Sequence, residues 1–345
     1  MQKHGKSSNH LFNIKKSFFQ NNDELLKQSI EYSKKYKEQP VRLTCKNCNE
    51  KLSEIIFTKF EIDYFLCQNC GHISGGHEDT VDFCNSIYAN DKGADYAKRY
   101  NHDDLKSYQN SVNTIYLPKA QFLIDALNEE EKSVESLSFL DIGAGSGYFL
   151  SALNKLGLDD ISGFEVSETQ VQFANKMNNS QFVKLCNLHD IKNIISNTKH
   201  NVISLIGVLE HLHNPIEILH AIRKNPNIKY LFISVPMFSP TIFFELSFPN
   251  IMSRHLGEGH THLYTENSLD WICKEYGFTK ISEWWFGLDM MDLFRSIDIT
   301  LSKKFSKTSQ ETWNKIFSPL IDGLQLEIDK HHLSSECHMI FKVIN

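Results

Sequence analysis

The stretch Phe139–Leu150, reading FLDIGAGSGYFL, constrains this chain more than any other. A short apolar run (Leu137, Phe139, Leu140) stops at Asp141, passes through Gly143, Gly145 and Gly147, and resumes with apolar residues at helical spacing. The pattern predicts a strand, a glycine turn and a helix. Glycines suit such a turn because the backbone takes unusual φ/ψ values there and a Cβ would hold a ligand off. The following helix adds unpaired N–H groups and a positive dipole end at the same spot. The turn is expected to face a ligand.

Beyond Leu137 strand and helix patterns alternate, which predicts a parallel sheet with crossover helices. Strands are expected at Ser138–Ile142, Ile161–Glu165, Phe182–Leu185, Val202–Ile206 and Tyr230–Val235, the last an apolar run fit for a central position. The helices between them are placed at Gly147–Leu156, Glu168–Met177 with Ser167 as N-cap, and Pro215–Arg223. An aromatic segment, Pro236–Met252, reads as a lid, a partner surface or a satellite core. Then follow a turn-rich stretch, His255–Tyr264, a helix Ser268–Tyr276 ended by Gly277, and a strand Phe278–Phe286. A helical insertion near 293–330 precedes a last strand, Cys337–Ile344.

Ahead of this region residues 1–40 read as a frayed arm and one helix through Leu25, Leu26 and Ile30. Cys45-x-x-Cys48 and Cys67-x-x-Cys70 follow, separated by strand-like residues. Two thiolate knuckles so spaced can converge on one tetrahedral zinc ion, and four thiolates leave no open position, so the expected zinc is structural. A single redox pair inside a βαβ unit would look different. His72 and His77 are expected to be surface or packing residues. Residues 87–136 read as helical, with Tyr96 and Tyr100 on one face, either packing or covering a ligand.

A net charge of -6 gives no global attraction to phosphate backbones or anionic membranes. No apolar run reaches the roughly 18–20 residues that span a bilayer, and no apolar signal core follows the first lysines, so a cytoplasmic protein is expected. In a reducing compartment paired cysteines read as metal ligands rather than disulfides.

The glycine spacing separates two ligand classes. A dinucleotide fingerprint requires a small residue where this chain has Tyr148. Here an acid, Asp141, stands just before the glycines, where it would attract an ammonium or sulfonium and repel a pyrophosphate. Glu165 ends the second strand, placed to accept hydrogen bonds from both hydroxyls of a ribose. After the fourth strand comes Gly207-Val208-Leu209-Glu210-His211-Leu212-His213-Asn214-Pro215.

DIGAGSG, Glu165 and VLEHLHNP, in this order and spacing, resemble class I S-adenosylmethionine-dependent methyltransferases over about residues 119–345. With the knuckles included, the whole chain is similar to bacterial methyltransferases that carry a zinc ribbon ahead of the catalytic domain, among them sugar C-methyltransferases and enzymes of surface-polysaccharide pathways. The resemblance implies an α/β fold: a Rossmann-like, seven-stranded, mostly parallel sheet with helices on both faces, preceded by a small zinc-ribbon and helical region. It divides the chain into 1–40, a ribbon at 41–86, a helical linker at 87–136 and the catalytic domain at 137–345. It further implies that Asp141, Gly143, Gly145 and Gly147 hold the methionine part of S-adenosylmethionine, Glu165 the ribose, and Asn187 and Leu188 the adenine, with Gly207 beside them. Relatives often carry Asp where this chain has Asn201.

Methyl transfer to a hydroxyl, or to a carbon beside a carbonyl, needs a base, and imidazole suits neutral pH. His262 resembles the histidine of the Glu-His pair in the sugar C-methyltransferases, with Thr261 where the Glu would be. His260 and His211 are the other candidates, although both loop histidines can instead be turn residues bonded to backbone, and Glu210 with His211 can instead shape the pocket. The leading expectation is methylation of a sugar oxygen, carbon or nitrogen on a nucleotide-linked or polysaccharide precursor. An RNA methyltransferase gripping nucleic acid through the ribbon, and a non-catalytic cofactor-binding scaffold, are the alternatives; the acidic balance argues against nucleic acid.

Overall fold

The computed structural model describes residues 1–7, 16–88, 92, 104–256 and 260–344. Its first part supplies β1 (Gln2–His4), α1 (Lys16–Gln20), α2 (Asn22–Lys37), a hairpin of β2 (Glu54–Lys59) and β3 (Ile62–Leu66), β4 (Ile73–Gly75) and α3 (Val81–Tyr88). Helix α4 (Leu105–Ser111) runs through a π-helical turn at Val112–Tyr116 into α5 (Leu117–Glu130), whose first turn holds Pro118. The alternation then follows: β5 (Phe139–Ile142), α6 (Tyr148–Lys155), β6 (Ile161–Glu165), α7 (Glu168–Asn178), β7 (Val183–Leu185), α8 (Ile191–Asn197), β8 (Val202–Ile206), α9 (Pro215–Lys224) and β9 (Tyr230–Pro236). The remainder is α10 (Pro240–Ser247), β10 (His262–Leu263), α11 (Glu266–Tyr276), β11 (Phe278–Phe286), α12 (Asp289–Lys304), α13 (Lys307–Phe317), α14 (Ile321–Lys330) and β12 (Glu336–Val343).

Strand β9 shows why the chain layers as it does. All seven of its residues are buried, and they alternate between two cores. Tyr230 and Phe232 face the core built with α5 and α6, whereas Leu231, Ile233 and Val235 face the core built with α8, α9 and α11. A period of two on a strand covered on both faces gives this division. Among the described residues the main sheet has eight strands in the order β1-β11-β12-β9-β8-β5-β6-β7, with β12 antiparallel to both neighbours and every other pairing parallel. The order reverses beside β5, which pairs with both β6 and β8. That reversal opens a crevice at the carboxyl ends of the strands.

Two expectations change. The sheet has eight strands rather than seven, because Gln2–His4 pairs in parallel with Glu283–Trp285 where a frayed arm was expected. Three polar residues carry no hydrophobic alternation; their strand is held by backbone bonds, extended by Gly5 N–H to the Trp285 carbonyl at 3.0 Å, and by Lys3 lying 3.8 Å from the Trp284 ring centre. The ribbon expected within 41–86 is completed from outside it: its sheet runs β10-β4-β3-β2, with His262 and Leu263 paired antiparallel to Ser74 and Ile73. The insertion begins at Asp289, whose buried carboxylate accepts hydrogen bonds from Ser239, Thr241 and the Ser335 backbone and so pins α12 across α10. Tyr96 and Tyr100 lie outside the described residues. Among those described, no helix is long and apolar enough to cross a membrane.

Candidate active site

The crevice beside β5 is a cleft of about 460 Å³ whose walls run from the glycine turn to the segment after α10. Gly143, Gly145 and Gly147 have φ of 71°, 53° and 72°, the left-handed region that side chains disfavour. The reason for glycine is nevertheless internal. A Cβ on Gly143 would lie 2.4 Å from Val208 Cγ2, one on Gly147 would lie 2.9 Å from Ala174 Cβ, and one on Gly145 would lie 3.0 Å from Gln170 Oε1. The turn is thus bent tightly against its own fold, and the backbone of Gly143 and Gly145 is what reaches the cleft wall.

Asp141, at the end of β5, is 3% exposed and accepts one hydrogen bond, from Ser204 Oγ at 2.5 Å. Burial pushes its carboxyl up to about 7, against the pull of that hydroxyl. Glu165 is gripped by three backbone amides: Gly145 N–H at 2.8 Å and those of Val166 and Ser167 at 2.9 Å. Burial raises its pKa and the three donors oppose the rise. Both carboxylates line the cleft, as do Leu188 and Gly207, whose φ is 65°. Asn187 does not line it. Its side chain is exposed and caps the turn at Leu188–Asp190, bonded to Asp190 at 2.9 Å. The wall beside Leu188 is instead supplied by Cys186. Cys186, Gln170 and Tyr116 line this half of the cleft without having stood out in the sequence, because no motif spacing marks them.

At the other half, Glu210, His211 and His260 converge; one carboxylate oxygen and one ring nitrogen from each histidine lie within 4.8 Å of one another. The two rings stack, with centres 5.1 Å apart and planes 22° from parallel. His260 Nδ1 donates to the His255 carbonyl at 3.0 Å, so its lone pair is on Nε2, and His211 Nδ1 is 2.7 Å from the Tyr88 hydroxyl. Burial pushes His260 down to about 4 and the Glu210 carboxyl up to about 8. Lys119 and Glu336, 3.8 Å apart, line the same half. The Glu336 carboxyl stays below its usual range because Lys119, Lys6 and Arg254 outweigh the push of burial.

His262 is elsewhere. It is 1% exposed, does not line the cleft, and uses both ring nitrogens. Nε2 donates to the Glu210 carbonyl at 2.8 Å, which leaves Nδ1 to accept from His72 Nε2 at 2.8 Å. Thr261 likewise turns away, its hydroxyl donating to Asp79 at 2.5 Å. Asp79 also holds Arg42 at 2.9 Å and Lys46 at 2.7 Å. These contacts dock the ribbon on the catalytic half. The structure therefore separates the two loop histidines, with His260 in the cleft and His262 in the seam behind it.

The four cysteine sulfurs also lie within 4.8 Å of one another, with Cys45–Cys70 at 3.6 Å and Cys48–Cys67 at 3.5 Å. Tetrahedral zinc with bonds of about 2.3 Å spaces its sulfurs about 3.8 Å apart. The donor set and spacing fit such an ion, whereas a disulfide needs about 2.05 Å.

Residues 115–283 match the family model described as a methyltransferase domain, a span from the π-helical turn to β11 that includes every parallel crossover strand of the cleft. Over that span the chain is similar to methyltransferase domains. No curated protein matches it. Among solved structures the chain is similar in fold to the plantazolicin methyltransferase BpumL, solved with a monoazolic desmethylPZN analog and SAH: 16% identity over 77% of this chain and 95% of that one, TM-score 0.48. It is also similar to a SAM-dependent methyltransferase from Archaeoglobus fulgidus (16% identity, 65% and 94% coverage, TM-score 0.37) and to the methyltransferase domain of bacterial CtHen1 (16% identity, 66% and 99% coverage, TM-score 0.39).

Proposed function

We propose that this methyltransferase acts on a hydroxyl oxygen of a sugar-containing precursor, nucleotide-linked or destined for a polysaccharide. The observation that carries the reading is the Glu210, His211 and His260 cluster at the acceptor half of the cleft. With Lys119, Arg254 and Glu336 it makes a wall of hydrogen-bonding groups, suited to a molecule rich in hydroxyls. The likeness to zinc-ribbon enzymes of sugar and polysaccharide pathways supports the same acceptor class.

S-adenosylmethionine, when bound, supplies an electrophilic methyl group on its sulfonium. In this reading Asp141 receives its ammonium, Glu165 its ribose hydroxyls, and Cys186 with Leu188 the adenine edge. The cluster holds the acceptor hydroxyl in line with the methyl. As the O–CH₃ bond forms and the S–CH₃ bond breaks, the hydroxyl proton passes to the cluster. His260 suits that task because burial keeps it neutral at pH 7 and its Nε2 carries the lone pair. Oxygen is favoured over carbon because Thr261 and His262, which occupy the place of the C-methyltransferase pair, are engaged with Asp79 and the Glu210 backbone.

The reading is tested by S-adenosylhomocysteine release against a panel of nucleotide sugars. His260→Ala is expected to lower kcat by roughly 100-fold or more with cofactor affinity unchanged. Full turnover in that variant would overturn the assignment.

A further inference from the structure

Glu210 is 3% exposed, and its Oε2 is fully buried with no hydrogen-bond partner; its other oxygen lies 3.8 Å from His211 Nε2, beyond hydrogen-bond reach. A buried carboxylate left without donors is costly, and native proteins satisfy nearly all such groups. His260 is not a donor that has drifted off. His260 presents a lone pair, because its one proton is committed to the His255 carbonyl. His211 has its far nitrogen held at the Tyr88 hydroxyl. Two imidazoles each held at Nδ1, and a carboxyl group with one oxygen unpartnered, converge in the cleft wall. Anchoring the far nitrogen to a carbonyl or hydroxyl is how metal-binding histidines are oriented.

We propose that Glu210, His211 and His260 form a binding site for a divalent metal ion of the first transition row, distinct from the four-cysteine cluster. Two imidazoles and one carboxylate occupy one face of such an ion and leave the remaining positions open. Imidazole nitrogen selects this group over magnesium, which prefers oxygen ligands. The present separations, up to 4.8 Å, close by side-chain rotation when an ion is taken up. The open positions face the cleft, where they suit two adjacent hydroxyl oxygens of an acceptor. This role rests on the hydroxyl-acceptor reading above: with the ion bound, the His260 lone pair would be given to the ion and not to a proton, and the ion would acidify the acceptor hydroxyl so that its proton passes to water in the cleft before the O–CH₃ bond forms and the S–CH₃ bond breaks.

The test uses Mn²⁺, an ion that binds thiolates poorly, with this chain and its four-cysteine cluster loaded with zinc. Water-proton relaxation and electron paramagnetic resonance are expected to show one Mn²⁺ per chain. Binding should weaken tenfold or more in Glu210→Gln and in His260→Asn, with S-adenosylmethionine affinity by calorimetry unchanged. His260→Asn, on the partly exposed side of the cluster, carries the test alone if Glu210→Gln fails to fold. No Mn²⁺ binding by the wild type, or equal binding in a folded variant, would overturn the site. The two proposals fail separately. Methylation of a sugar hydroxyl by chelator-treated enzyme at the full rate removes the ion and keeps the function, whereas Mn²⁺ binding with no hydroxyl acceptor in the panel keeps the ion and removes the function.

Discussion

Asp141 is buried, lines the cleft and, among the described residues, accepts one hydrogen bond, from Ser204. Its carboxyl sits near 7 because burial disfavours the anion; Ser204 opposes the rise, Glu165 adds to it and Lys119 reduces it. A folded pKa raised from 3.8 to about 7 means that stability from the neutral form is full below about pH 4 and is lost as pH climbs through 7. A cationic ligand gains most from the ionised form. S-adenosylmethionine should therefore bind about tenfold more weakly at pH 6 than at pH 8, following the ionised fraction of a group titrating near 7. Calorimetry at the two values checks this, and Asp141→Asn should remove the dependence along with most of the affinity. The place of this acid and of the three glycines was legible in the sequence. The reason for the glycines was not, since Val208, Gln170 and Ala174 come from distant segments and only folding brings them against the turn.

Strand β10 is two residues long, too short for any periodicity to announce it, yet it joins the ribbon to the catalytic half. The same brevity hid what His262 does. Its partners are 190 residues away at His72 and 52 away at Glu210, and a sequence shows neither. If His262 positions Glu210 by donating to its carbonyl, His262→Ala should both slow turnover and lower stability, by about 1–3 kcal/mol for a buried acceptor left unsatisfied. Thermal melting beside kinetics separates this from a role as base, which would slow turnover in a protein of unchanged melting temperature. Helices with strong end signals were legible: Ser167 caps α7 by accepting from Gln170 N–H at 3.2 Å, and Gly277 ends α11 at φ 66°.

At the scale of the molecule, the alternation of strand and helix patterns after Leu137 revealed the sheet and its cleft, because each parallel strand there is followed by a helix that must pack back onto it. The first strand was invisible for want of apolar residues, and the ribbon's dependence on the catalytic half was invisible because its fourth strand lies beyond α10. That dependence has a measurable consequence. Cys48→Ser should lower zinc content and the melting temperature, and should also reduce turnover, since the knuckle Cys67–Cys70 leads directly into the His72–His262–Glu210 chain of hydrogen bonds. Zinc analysis, calorimetry and kinetics on one preparation test it; an unchanged melting temperature in a zinc-free variant would count against it.

The seam between β4 and β10 also orders events in time. Cys45 and Cys70 are 25 residues apart, so the thiolates can gather around an ion while little else has formed. His72 and His262 are separated by 190 residues, and closing so long a loop must wait for the intervening strands to assemble. The ribbon is therefore expected to form as an early, local unit during synthesis, with its β4 edge unpaired until Leu263 has been made. An open edge of that kind is a template for another chain, and the two-residue strand β10 is what finally closes it.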